Sequence, residues 1–134
     1  MKSTFLLLGA LSALIGVGMG AFGAHGLKTV ISPEMLTVYQ TGVTYQMWHA
    51  LGLIGVALIR QQAPGSKLLC WAGWLMFAGI LLFSGSLYAL SLLNHTWLGM
   101  ITPFGGVCFL AAWLLITLSA APIIRFSGHN SRYK

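Results

Sequence analysis

Long apolar runs alternate with short polar breaks along this chain. Residues 4–24, 39–60, 68–93 and 103–124 are each apolar enough to cross a bilayer as a helix. Each is also about as long as the ~20 residues a crossing requires. The breaks carry turn and cap signals. Ser32, Pro33 and Glu34 read as N-cap, first helical residue and a carboxylate facing the helix dipole. The stretch 61–67, QQAPGSK, contains Pro64-Gly65, a strong turn signal. Thr102 and Pro103 repeat the cap pattern, and Gly26 suits a left-handed helix end after the first run. The pattern predicts an all-α membrane protein, a four-transmembrane-helix bundle in residues 1–124. A basic, polar tail follows at 125–134.

Within this apolar background the first run carries a stripe of small residues. Gly9, Ala13, Gly16, Gly20 and Gly23 recur at steps of four, three, four and three. Small residues let helix backbones approach where no hydrophobic effect acts between helices. The stripe therefore nominates the first helix as the middle of the bundle, with Gly85, Gly105 and Gly106 as further packing positions. Residues 18–23, GMGAFG, match a dinucleotide fingerprint in letters only, because no strand precedes them.

The second run opens with a polar cluster, YQTGVTYQMWHA at residues 39–50. At 100° per residue, Tyr39, Gly42, Tyr45, Gln46 and His49 fall within an arc of about 120°. A polar arc in lipid needs partners, so it should face the other helices. Counting ~20 residues back from Arg60 puts His49 near the midplane and Tyr45 and Gln46 in the outer half. The same count puts Tyr39 and Gln40 at headgroup level. In the third run Ser84 and Tyr88, four apart, share a face. Tyr45, Gln46, His49, Ser84 and Tyr88 are thus the candidate lining of a polar intramembrane pocket, with helix locking by His49 as the plainer reading.

Composition closes off most other chemistry. The 134 residues are 57% hydrophobic and 6% charged, against about 25% charged in soluble domains, and mean hydropathy is +0.86. Seven Lys and Arg face a single acid, Glu34. With no Asp the chain cannot supply a carboxylate dyad, a two-metal centre or a carboxylate proton relay. An enzyme is disfavoured and no catalytic residue is nominated. His25, His49 and His95 lack the spacing of a helical metal site, so neither a metal nor another cofactor is expected. Cys70 and Cys108 fall at different depths on adjacent helices and are expected to remain free. No basic stripe or aromatic platform suggests nucleic acid. The expected partners are the lipid bilayer and a second copy or another membrane protein. Lys2, Arg60, Lys67, Arg125, Arg132 and Lys134 lie on one side and only Lys28 on the other, which places both termini in the cytoplasm.

Four motifs occur in a familiar order: GAFGAHGL at 20–27, YQMWHAL at 45–51, LFSGSLY at 82–88 and GMITPFGG at 99–106. Together they resemble the domain of unknown function 423 family of small bacterial inner-membrane proteins, over about residues 4–118. Trp48 stands where family members commonly have an aromatic such as Tyr, and Phe104 where they have an aliphatic. The resemblance implies a multi-pass protein of the bacterial inner (plasma) membrane and carries over no catalytic residue. It leaves three functional readings open. The first is a non-enzymatic protein with a pocket for a small ligand, lipid or partner helix. The others are an oligomeric transporter or channel subunit, and a redox subunit with a His-ligated cofactor.

Overall fold

Serine caps start two of the helices. Ser32 Oγ accepts from Met35 N at 3.2 Å, and Ser66 Oγ from Leu69 N at 3.3 Å. The computed structural model describes residues 4–129, with side chains described from 4 to 121. Its helices are α1 (Thr4–Phe22), α2 (Pro33–Gln62), α3 (Lys67–Gly79), α4 (Gly85–Leu93) and α5 (Thr102–His129). A π turn, Gly23–Leu27, prolongs α1, and a second, Ile80–Ser84, joins α3 to α4 into one unbroken rod. A 3-10 turn, Thr96–Met100, precedes α5. Four rods are long and apolar enough to cross a membrane: Thr4–Leu27, Pro33–Gln62, Lys67–Leu93 and Thr96–Ala121. The molecule is an all-α membrane protein of four spans, as the hydropathy pattern predicts. Lys2 and residues 130–134, which carry part of the orientation argument, lie outside the described residues.

Two of the expected helix caps are not formed. Among the described residues no glycine has positive φ, so Gly26 does not end the first helix in a left-handed cap. The helix widens instead, and a Cβ at Gly26 would lie 2.9 Å from the Phe22 ring. The left-handed cap is Asn94, at φ 55°, which ends α4. Thr102 is expected to cap α5, but its Oγ1 bonds Ser86 Oγ at 2.7 Å and ties α5 to α4.

The larger correction concerns the middle of the bundle. The first span packs along α2 and meets the third mainly through Phe5, whose ring lies against Gly73 and Trp74. The central pair is α2 and the third span, and α5 packs on the far side of the third span. The first span is therefore a flank. A stripe of small residues is one face wide, so it makes one close neighbour, whereas a central helix needs two. Leu7, Leu14 and Val17, off the stripe, face outward.

Where the stripe meets α2 the approach is close. An added Cβ would come within 2.8 Å of Ala50 O at Gly9, 2.6 Å of Met47 Sδ at Gly16 and 2.6 Å of Tyr39 Cε1 at Gly23. Gly20 is looser, at 3.4 Å from Val43, and Ala13 is only half-buried. Gly105 abuts the Phe83 backbone, while Gly106 meets Phe83 only at 3.9 Å. Gly85, expected at a helix contact, is exposed and has nothing within 4 Å. At one end of the bundle Phe5, Leu53, Val56, Met76, Phe109 and Ala112 form a dry core. The candidate site borders this core, which shares Phe109 with it and packs against Tyr45 and Phe83.

Candidate functional site

The polar arc of α2 is spent on neighbouring helices. Tyr39 O–H donates to Met19 O at 2.7 Å, at the point where the first helix widens. Gln46 Nε2 donates to Ser12 O at 2.8 Å, and Gln46 Oε1 accepts from Tyr88 O–H at 2.7 Å. Ser84 Oγ donates to Gly42 O at 2.6 Å. One amide thus bridges the first and third spans through the second. Gln46 and Ser84 are 4% and 1% exposed. Backbone carbonyls take three of these bonds, so the lattice depends on close backbone approach as much as on polar residues.

His49 belongs to a separate line. Its Nδ1 lies 2.6 Å from Tyr45 O, and its Nε2 lies 3.1 Å from Trp113 Nε1. An indole N–H can only donate, so Nε2 carries the lone pair and Nδ1 the proton. The imidazole is neutral, with both nitrogens engaged. Its ring stacks on Phe109 at 3.4 Å between centroids and 9° between planes. While the Trp113 bond stands, no nitrogen is free to ligate a metal or take up a proton. Glu34, in the first turn of α2 and exposed, is about 22 Å away along the helix.

Two lateral grooves flank the central pair. One, of about 270 Å³, lies between the first and third spans, and Ser12, Gln46 and Tyr88 are its polar lining. The other, of about 500 Å³, lies between α2 and α5. Trp48, Phe83, Val107 and Leu110 line it together with Tyr45, His49 and Trp113. Both volumes are near or within the range of small-molecule sites. Tyr45 packs its ring on Phe83 at 4.6 Å and near Trp48 at 5.6 Å.

The five residues nominated from sequence therefore divide between two places. Gln46, Ser84 and Tyr88 join the lattice on one face, while Tyr45 and His49 line the larger groove on the other. Tyr39 is the main surprise. Depth counting puts it at headgroup level, but it is 0% exposed. Its ring lies 5.1 Å from that of Tyr88. α2 begins at Pro33, and the Gly23 gap lets the ring sit inside the bundle rather than at its rim. Tyr39 lies on the polar arc, and its burial follows from that arc facing the other helices. Ser12 gave no signal, because it contributes only a carbonyl. Trp113 did give one: a Trp in the middle of an apolar run needs an acceptor for its N–H, and His49 was the available partner. His25 and His95 are exposed, and among the described residues no group of His, Cys, Asp and Glu could hold a metal ion. Cys70 and Cys108 are free.

The sequence profile of a family described as protein of unknown function (DUF423) matches residues 19–106. The chain is 53% identical to the UPF0382 membrane protein YwdK of Bacillus subtilis (strain 168) over 116 residues, 87% of this chain and 94% of that protein. It is 46% identical to a UPF0382 membrane protein of Staphylococcus epidermidis (strain ATCC 12228 / FDA PCI 1200) over 124 residues, 92% of this chain and 98% of that protein. No solved structure matches.

Proposed function

The chain belongs to the DUF423 family of membrane proteins, and we propose that it is a non-enzymatic protein that holds the apolar chain of a lipid in the groove between α2 and α5. One observation carries the reading. The groove is lined by aromatic and aliphatic side chains, and the imidazole and indole among them satisfy each other. A polar solute would find no free donor or acceptor on these two groups, and displacing their bond would leave both unpaired in lipid. A flexible apolar chain asks for neither. The same pairing weighs against a His-ligated cofactor and against a polar path through the bundle.

The test is photolabelling of the purified protein with a diazirine-bearing fatty acid, followed by mapping of the labelled peptides. Gly106 borders the groove with space beside it, so Gly106→Leu fills the cavity while leaving the helix contacts alone. The expected result is labelling of the 103–113 segment in the wild type and its loss in Gly106→Leu. Equal labelling of both proteins would defeat the proposal. The six-to-one basic asymmetry further supports a plasma-membrane orientation with both termini in the cytoplasm. A carboxy-terminal reporter active only in the periplasm or cell exterior should stay silent.

A further inference from the structure

At the end of the bundle where Phe5 joins the dry core, Arg60, in the last turn of α2, has no acidic side chain beside it among the described residues. The only acidic side chain, Glu34, stands in the first turn of the same helix, about 39 Å away along its axis. Yet Arg60 is only partly exposed. Its Nε is buried and among the described residues has no hydrogen-bond partner. The guanidinium carbon stands 5.4 Å from the centre of the Phe5 ring, a cation–π distance. Phe5 is itself wedged in place. Trp74 packs edge-on against it at 5.4 Å and 72°, and a Cβ at Gly73 would lie 2.5 Å from its ring. Residues of the first, second and third spans thus converge to seat one guanidinium at the membrane boundary, and none of them neutralises it.

We propose that this seat is a site for the phosphate of a phospholipid headgroup, with anionic lipids preferred. A seated guanidinium offers a planar fork that matches phosphate oxygens in pairs, and the aromatic ring behind it limits the rotamer freedom lost on binding. The missing counter-charge comes from the lipid because the chain has one acid and keeps it at the opposite end. Lys67 begins α3 and is exposed. It adds diffuse attraction without a seat.

The experiment measures thermal unfolding in a neutral detergent against added short-chain phosphatidylglycerol, phosphatidylcholine, diacylglycerol or inorganic phosphate. The wild type should be stabilised most by phosphatidylglycerol, and Arg60→Gln should need about tenfold more lipid for the same shift. Arg60→Lys, which keeps the charge and loses the fork, should fall between them. Lys67→Gln should lose far less of the response than Arg60→Gln. Phe5→Leu, which removes the ring but not the charge, should weaken the lipid response while retaining the headgroup preference. Stabilisation by inorganic phosphate equal to that by phosphatidylglycerol would mean a free-anion site and overturn the lipid assignment. Equal responses of wild type and Arg60→Gln, or a response to diacylglycerol as large as to phosphatidylglycerol, would overturn the site itself. This end lies away from the groove between α2 and α5, and a diacylglycerol response reads that groove alone.

Discussion

Alanine substitutions along the first span separate close helix approach from mere apolar character. Each Gly→Ala change gains about 1 kcal/mol of helix propensity, so the native glycines are costly unless space forbids a methyl. At Gly18 nothing lies within 4 Å, and Gly18→Ala should stabilise the protein by up to ~1 kcal/mol. At Gly16 the methyl would meet Met47 Sδ at 2.6 Å. A thioether on rotatable bonds can swing away, so the change should be nearly neutral. At Gly23 the obstacle is the Tyr39 ring at 2.6 Å, buried and tethered by its bond to Met19 O. At Gly9 the obstacles are Ala50 O at 2.8 Å and Ile54 N at 3.1 Å, backbone atoms that cannot rotate aside. Overpacking costs about 1–3 kcal/mol. After the propensity gain, Gly9→Ala and Gly23→Ala should therefore lose up to about 2 kcal/mol net, with Gly9→Ala, set against backbone, at the top of that range. Titration of detergent-solubilised protein with sodium dodecyl sulfate, followed by tryptophan fluorescence, reads these differences. If Gly9→Ala proved as stable as Gly18→Ala, the close contact between the first span and α2 would be refuted.

Other perturbations probe the polar bonds and the groove. Trp113→Phe leaves His49 Nε2 without its donor and should cost about 0.6 kcal/mol, at most ~1.7. The loss should vanish in a His49→Phe background, and a double-mutant cycle in the same titration checks this. Tyr39→Phe should cost a similar ~0.6 kcal/mol, whereas Tyr39→Ala should cost about 3 kcal/mol or more by opening a cavity. If both Tyr39 variants were neutral, the side chain would belong at headgroup level after all. Gln46→Leu should remove most of the effect of Tyr88→Phe, because the tyrosine hydroxyl donates to that amide. Independent, additive losses would show that the relay is not intact. Ser84→Ala should cost under about 1 kcal/mol.

Much of the fold was legible in the chain because lipid imposes simple rules. A span must be about 20 residues long, apolar and helical, so four runs with capped breaks announce four helices. Chemistry was bounded in the same way, since a chain without Asp cannot assemble carboxylate catalysis. The polar arc on α2 was visible too, because it depends only on helical periodicity and on the rule that buried polar groups find partners. The partners themselves were not visible. Two of them, Met19 O and Ser12 O, are carbonyls, and every residue has a carbonyl. Which one is reached depends on where helices approach.

Tertiary structure decided the order of the helices and the role of each polar group. The glycine stripe marks a face of close approach and pointed to the middle of the bundle, but the packed bundle gives that face one neighbour, α2, and leaves the span on a flank. Tyr39 moved from the expected rim to the interior because Gly23, on another helix, vacated the space for its ring. His49 became a neutral, doubly bonded side chain because Trp113, 64 residues later, donates to it. Local sequence fixes periodicity, length and charge, which act along one helix. Depth, burial and tautomer depend on contacts between helices, and these exist only once the spans have packed.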